Sequence, residues 1–155
     1  MRTACTALAA FLLMAAPVGL SHASVIHVPS DQPTIQLGIS HASSGDTVLV
    51  APGTYTETFD FLGKAVTVGS RYLLTGDPAC VDSTVIDGGG VRGPLVTFVS
   101  GEDSLSVLAG LTLRDGSAFR GAGVLCDLSS PSIVGCAFRS NEAQSDGGGV
   151  YADES

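Results

Sequence analysis

Tryptophan is absent, charged residues make up only 14% of the 155, and only seven side chains are Lys or Arg. An ordinary globular protein carries about 25% charged residues, so this chain lacks the polar side chains to clothe a long solvated helix or a coiled coil. Seven basic residues against 15 acidic ones give a net charge of −8. That leaves no basic surface to neutralise phosphates, which argues against nucleic acid and anionic membrane as partners. Cysteine is scarce as well, at four, too few for a disulfide scaffold. The apolar run at residues 7–16 is ten long, half the roughly 20 that a membrane-spanning helix needs. What is present is 45% apolar content and 20 glycines, too apolar for a disordered chain and enough for one domain.

Residues 1–23 have the layout of a secretory signal. Arg2 supplies a positive start, the ten-residue apolar run follows, and Pro17 and Gly19 break it ahead of Ser21-His22-Ala23. Cleavage is expected after Ala23, which places the protein outside the cell or on its surface. Cys5 leaves with that segment, and no cysteine sits where a lipid anchor would need one. The mature chain then runs from Ser24 to Ser155, and the loss of Arg2 makes it one charge more acidic. Cys80, Cys126 and Cys136 remain. An odd number leaves one thiol unpaired within the chain. Two buried free thiols at Cys126 and Cys136 are expected, with a bridge between them as the rival reading. No Cys-x-x-Cys occurs and His27 and His41 lie far from the cysteines, which disfavours zinc.

Residues 24–46 read as an N-terminal strand and a helical cap. Ile35, Ile39 and Ala42 recur at i, i+4 and i+7, the single amphipathic helix the pattern predicts. Pro33 suits its first turn, and Asp31 or Thr34 suits its cap. About ten residues of helix are not stable alone, so the apolar face must cover the end of a sheet stack. From residue 47 to 155 the pattern changes to short strands between glycine turns: 47–51, 65–69, 84–87, 95–99, 106–113, 124–127 and 132–139. Pro52-Gly53 reads as the centre of a type II turn.

An internal repeat decides how these strands assemble. Shifted by 25, residues 108–118 fall on 133–143, with Leu108 on Ile133, Leu111 on Cys136, Leu113 on Phe138 and Arg114 on Arg139. Shifted by 26, residues 121–129 fall on 147–155 with five identities in nine. A period of about 25 residues suits one coil of a parallel β-solenoid, in which each coil buries its inward side chains only by stacking on the next. Leu108, Leu111 and Leu113 should then lie under Ile133, Cys136 and Phe138, Arg114 and Arg139 should form an outward column, and Gly121-Ala122-Gly123 and Gly147-Gly148-Gly149 should mark sharp corners. The chain stops at Ser155, midway through a coil at the position matching Ser129, so further coils and a second cap are expected downstream.

These residues also carry a resemblance. Pro33-Thr34-Ile35-Gln36, Ile39, Gly45-Asp46-Thr47-Val48, Pro52-Gly53-Thr54-Tyr55 and Glu57 resemble the cap and first coil of right-handed parallel β-helix proteins of the pectin-lyase-like superfamily, pectin methylesterases among them. Gly121-Ala122-Gly123-Val124, Phe138-Arg139-Ser140-Asn141 and Gly147-Gly148-Gly149-Val150 resemble the repeats of polymorphic outer-membrane adhesins. The resemblance implies an all-β, right-handed parallel β-helix of about four coils. It names no activity, because that superfamily holds lyases, hydrolases, esterases, epimerases and adhesins alike.

A search for chemistry finds no catalytic constellation. Asp60-Phe61-Leu62-Gly63 is similar to part of a pectin methylesterase motif, but it sits just after the cap and lacks that family's partner motifs, so Asp60 reads as a turn residue. Asp82, Asp87 and Arg92 come nearest to a lyase's calcium and base groups, yet Asp87-Gly88-Gly89-Gly90 has the chemistry of a turn. Asp127 and Asp153 share a repeat position, which stacking would bring about 5 Å apart; such a pair suits a retaining glycosidase or calcium, against the plainer reading of solvated turns. Arg114 and Arg139 could clamp a uronate or sulfate, against plain solubilisation, and Tyr151 is the one aromatic beside the aspartates. The expectation is an exported, non-catalytic module that adheres to or binds extracellular polysaccharide or a cell-surface glycan. The alternative is the N-terminal piece of a polysaccharide-active enzyme.

Overall fold

The computed structural model describes residues 22–153. Most of the expected leader lies outside the described residues. Strand β1 (Val25–Val28) is followed by helix α1 (Ile35–His41), and then by four successive coils. The first holds β2 (Thr47–Val50), β3 (Gly53–Tyr55) and β4 (Phe59–Asp60); the second holds β5 (Thr67–Gly69), the short helices α2 (Tyr72–Thr75) and α3 (Ala79–Ser83), β6 (Thr84–Asp87) and β7 (Val96–Phe98). The third holds β8 (Val107–Ala109), β9 (Thr112–Arg114), β10 (Ser117–Arg120) and β11 (Val124–Asp127), and the fourth repeats it as β12 (Ser132–Val134), β13 (Ala137–Arg139), β14 (Glu142–Asp146) and β15 (Val150–Asp153).

Each strand pairs in parallel with its counterpart one coil later. The strands thus form three long parallel sheets, β1-β2-β5-β8-β12, β3-β6-β9-β13 and β4-β7-β11-β15, with a two-stranded sheet β10-β14 beside the third. This all-β arrangement of stacked parallel sheets is compatible with a β-solenoid. The repeat register holds residue for residue: Leu108 pairs with Ile133, Leu113 with Phe138 and Arg114 with Arg139.

Alternation along such short strands sends every second side chain inward. The result is columns rather than a single globular core: Val48, Val68, Leu108 and Ile133 on the first sheet, Tyr55, Ile86, Leu113 and Phe138 on the second, and Phe59, Val96 and Val124 on the third. Val48, Val68, Ile86, Leu108, Leu113 and Val124 are fully buried, while Ile133 and Phe138 of the fourth coil are half-buried against them.

Helix α1 covers the first coil with Ile35 and Ile39 fully buried. It is seven residues long, not ten; Thr34, one of the two residues expected at its cap, stands there and accepts a hydrogen bond from the Leu37 amide at 3.2 Å, with Pro33 just ahead of the helix. The first coil holds both ends of this helix. The Glu57 carboxylate accepts from the free amides of Ile35 and Gln36 at 3.1 and 3.2 Å, and the Lys64 ammonium donates to the last carbonyls, those of Ile39, Ser40 and Ala42, at 2.7–2.8 Å. A carboxylate at a helix N-terminus and a cation at its C-terminus both complement the helix dipole. Lys64→Met keeps the stem and removes the charge, so it is expected to lower the unfolding free energy by about 2 kcal/mol, read as a shift in the urea midpoint.

Several expectations need correction. Gly53 lacks the positive φ that a type II turn requires at that place; it opens β3 instead. The long strands expected at 106–113 and 132–139 are each two strands, because Gly110 and Gly135 turn the chain with φ of +65° and +59°. The amphipathic helix is not the single one, since α2 and α3 lie between β5 and β6. They dock by filling what glycine leaves open: a Cβ on Gly110 would stand 2.3 Å from Cβ of Tyr72, and one on Gly135 would lie 2.7 Å from the same ring.

Candidate functional site

A cleft of about 750 Å³ opens where β10 and β14 meet the outward face of β11 and β15. Its geometry follows from the strand alternation. Val124 and Cys126 point inward, so Leu125 and Asp127 point outward; on the next strand their register partners Tyr151 and Asp153 do the same. Gly121 and Gly147, with φ of +58° and +68°, turn the chain between the two sheets so that Phe119 and Arg120 face across to Tyr151. Arg92 enters from the loop ahead of β7, tied by backbone bridging of Arg92 and Gly93 to Ser117.

The cleft therefore joins an aromatic floor to a set of opposed charges. Phe119 is 65% exposed, an unusual state for a large ring. The Arg120 guanidinium lies over both the Phe119 and Tyr151 rings, at 5.7 and 5.2 Å, within cation–π range. Arg120 also donates to the Tyr151 hydroxyl at 3.2 Å, and that hydroxyl in turn donates to Asp153 at 3.3 Å. Arg120, Tyr151 and Asp153 are thus one chain of hydrogen bonds across two coils. Asp127 and Arg92 line the cleft with no side-chain partner among the described residues, and so keep an acceptor and a donor for a ligand.

The structure brings together four of the residues singled out in the sequence, Arg92, Tyr151, Asp127 and Asp153. Arg114 and Arg139 stand elsewhere. They are neighbours in register, as expected of a column, but each already has a carboxylate: Arg114 grips Asp87 at 2.6 and 2.9 Å, and Arg139 reaches Asp82 at 2.6 Å. Asp87 serves as a turn residue, since its other oxygen accepts from the Gly89 amide, and the Arg114 contact first and that amide second hold its carboxyl below the usual range. Asp60 likewise closes a turn by accepting from the Leu62 amide. Sequence reasoning missed Phe119, Arg120 and Gln144, and set Arg92 beside Asp82 and Asp87 rather than in this cleft. The available signal was Phe119-Arg120 ahead of the corner glycine, an exposed aromatic in a chain with few.

Among the described residues no group of three or more His, Cys, Asp or Glu side chains is placed to hold a metal ion; Asp127 and Asp153 are two carboxylates side by side, against the six to eight oxygens calcium takes. The three cysteines among the described residues, Cys80, Cys126 and Cys136, are unpaired; Cys126 is buried as expected, whereas Cys136 is only half-buried. Burial first, and the Glu102 carboxylate second, push the Cys126 thiol up to about 11, and burial also pushes Cys136 upward. Neither is a nucleophile at neutral pH. No described helix is long and apolar enough to cross a membrane. Compared with known proteins, the chain matches no family model, no curated protein and no solved structure.

Proposed function

We propose that the chain is an exported, non-catalytic module of the right-handed parallel β-helix type, related to the pectin-lyase-like superfamily, which binds extracellular polysaccharide or a cell-surface glycan in the cleft of Phe119, Arg120 and Tyr151. Right-handedness rests on the general rule that parallel crossovers take that hand in about 98% of cases. The single observation that carries the binding reading is the exposed Phe119 and half-buried Tyr151 rings beside the unpartnered Arg92 and Asp127. A sugar ring presents an apolar face bounded by hydroxyls; an aromatic surface takes the face, and a donor and an acceptor take the rim. Arg92, the cleft's unpartnered guanidinium, favours a glycan bearing carboxylate or sulfate, because its fork of donors matches the paired oxygens of either group.

The test is binding of the full chain to a panel of neutral and acidic oligosaccharides, with and without calcium. Tyr151→Ala and Phe119→Ala are each expected to weaken binding about tenfold, which corresponds to about 1.4 kcal/mol of lost contact. Arg92→Gln should weaken acidic glycans more than neutral ones. Arg114→Gln and Arg139→Gln should leave affinity unchanged, because their guanidinium groups are engaged with Asp87 and Asp82. Affinity that is indifferent to Tyr151 and Phe119 would sink this reading.

A second reading is favoured by one observation, the in-register carboxylates of Asp127 and Asp153. In it the chain is the N-terminal part of a polysaccharide-active enzyme, and these two supply acid and nucleophile or bind calcium. Turnover of an acidic glycan that disappears in Asp127→Asn supports it; binding without turnover supports the module.

A further inference from the structure

Six basic side chains lie in the described residues, and four are used within the fold. Lys64 caps α1, and Arg114, Arg120 and Arg139 have carboxylate partners. Arg92 faces the cleft already described. The remaining cation, Arg71, has no side-chain partner among the described residues, and it lines a separate groove of about 380 Å³ on another sheet. In a chain of net charge −8, a guanidinium left without an acid is a feature that needs a reason.

The groove has a structural origin. The outward column of the first sheet runs His27, Leu49, Gly69, Ala109 and Val134. Gly69 and Ala109 are small, and Leu73 fills the space where a Cβ on Gly69 would stand, 2.8 Å away. The segment around α2 therefore sits on the middle of the column and leaves its first two members, His27 and Leu49, uncovered. The space between them and the edge of α2 is the groove. Its floor is Leu49 and Pro52, its far wall is Leu74, 70% exposed, and Arg71 and His27 stand at its rim.

We propose that this groove binds a small organic monoanion, a carboxylic acid with a short aliphatic or aromatic body, independently of the glycan cleft. Arg71 takes the carboxylate through its paired N–H donors, His27 supplies a further polar contact, and the apolar body covers Leu49, Pro52 and Leu74. The volume lies near the small end of the roughly 300–1,000 Å³ typical of ligand sites, which suits a molecule of this class rather than a polymer.

The test uses the full chain and three probes with one body, hexanoate, hexan-1-ol and hexylamine, titrated at neutral pH and followed by NMR shifts of the groove residues and by calorimetry. Hexanoate is expected to saturate with a dissociation constant of about 1 mM or below, hexan-1-ol to bind about tenfold more weakly, and hexylamine not to bind. Arg71→Gln should erase the preference for the acid while the alcohol binds as before, and Leu74→Asp should abolish both. Arg92→Gln, in the other cleft, should change nothing here. Equal affinity for acid and alcohol in the unsubstituted chain would overturn the proposal, whatever the variants do. So would hexanoate affinity left unchanged by Arg71→Gln, or Leu74-dependent dimers in sedimentation, which would give the groove to a second copy of the chain.

Discussion

Phe98→Ala is expected to lower the unfolding free energy by about 4 kcal/mol, at the upper end of what a core truncation removes. Phe98 is fully buried, and its ring centroid lies 4.2 Å from that of Phe61, tilted by 32°. Phe59 stands 6.3 Å from Phe61 in turn. Register explains why these rings meet: Asp60 pairs with Thr97, so Phe61 on the first coil lies beside Phe98 on the second. Three rings thus fill the interior between two adjacent coils. In a compact globule a cavity shrinks when neighbours slide inward, but here the walls are strands held about 4.8 Å apart by continuous hydrogen-bonded ladders. They cannot approach without breaking pairing across several coils, so the void should stay open. Because each coil contacts mainly its neighbours, the loss should appear as a lower urea midpoint together with faster amide exchange in β4, β7 and β11. Phe98→Leu, which keeps most of the volume, should cost about 1–2 kcal/mol. A shift below about 1 kcal/mol for the alanine variant would mean that the coils do collapse, and the column picture of the core would be wrong.

Coils three and four are the legible part of the sequence. Their counterparts lie one nearly constant period apart with no insertion between them, so Leu108 and Ile133, or Asp127 and Asp153, align by simple shifting. The first two coils hide the same architecture. Thr47 pairs with Thr67, and Thr67 with Val107, but the second step along the chain is twice the length of the first, because α2 and α3 lengthen the second coil. A constant-period search loses them. β3 and β4 are illegible for another reason: two or three residues with one inward side chain carry no alternation to detect. The insertion itself depends on contacts that no local pattern encodes, such as Tyr72 lying against Gly110 and Gly135. The cleft is half legible. Tyr151, Asp127 and Asp153 share the regular repeat, whereas β10 and β14 form a separate two-stranded ladder outside the three long sheets, so nothing in their composition announces that they turn Phe119 and Arg120 toward the aspartates. Arg114 and Arg139 stand out as a column, but Asp82, Arg139's partner far back along the chain, is invisible without the fold.

Glu102→Gln is expected to cost about 3 kcal/mol at neutral pH and to flatten the acid side of the stability curve. The Glu102 carboxylate is 3% exposed and joins three coils. It accepts from the Gly63 amide of the first at 2.8 Å, from the Ser100 amide of the second at 2.9 Å, and from the Ser129 hydroxyl of the third at 2.9 Å. Burial by itself would raise its pKa, but the Ser100 and Gly63 amides and the Ser129 hydroxyl together outweigh that and hold it below the usual 4.5. A depressed folded-state pKa means that the unfolded chain takes up a proton first as pH falls. The stabilisation is therefore complete above about pH 4.5 and is lost as pH drops through the lower folded value. A glutamine keeps the length but offers one acceptor oxygen in place of two and aims an NH₂ at a donor. That leaves buried N–H groups unpaired, at about 1–3 kcal/mol for each. Urea midpoints measured across the acid range up to neutral pH should fall steeply below about pH 4.5 in the unsubstituted chain and less steeply in the variant, the two curves converging at the acid end. Parallel curves would show that the carboxylate's charge is not what ties the coils together, and Ser129→Ala, which removes one donor and no charge, would then cost as much as Glu102→Gln rather than about a third of it.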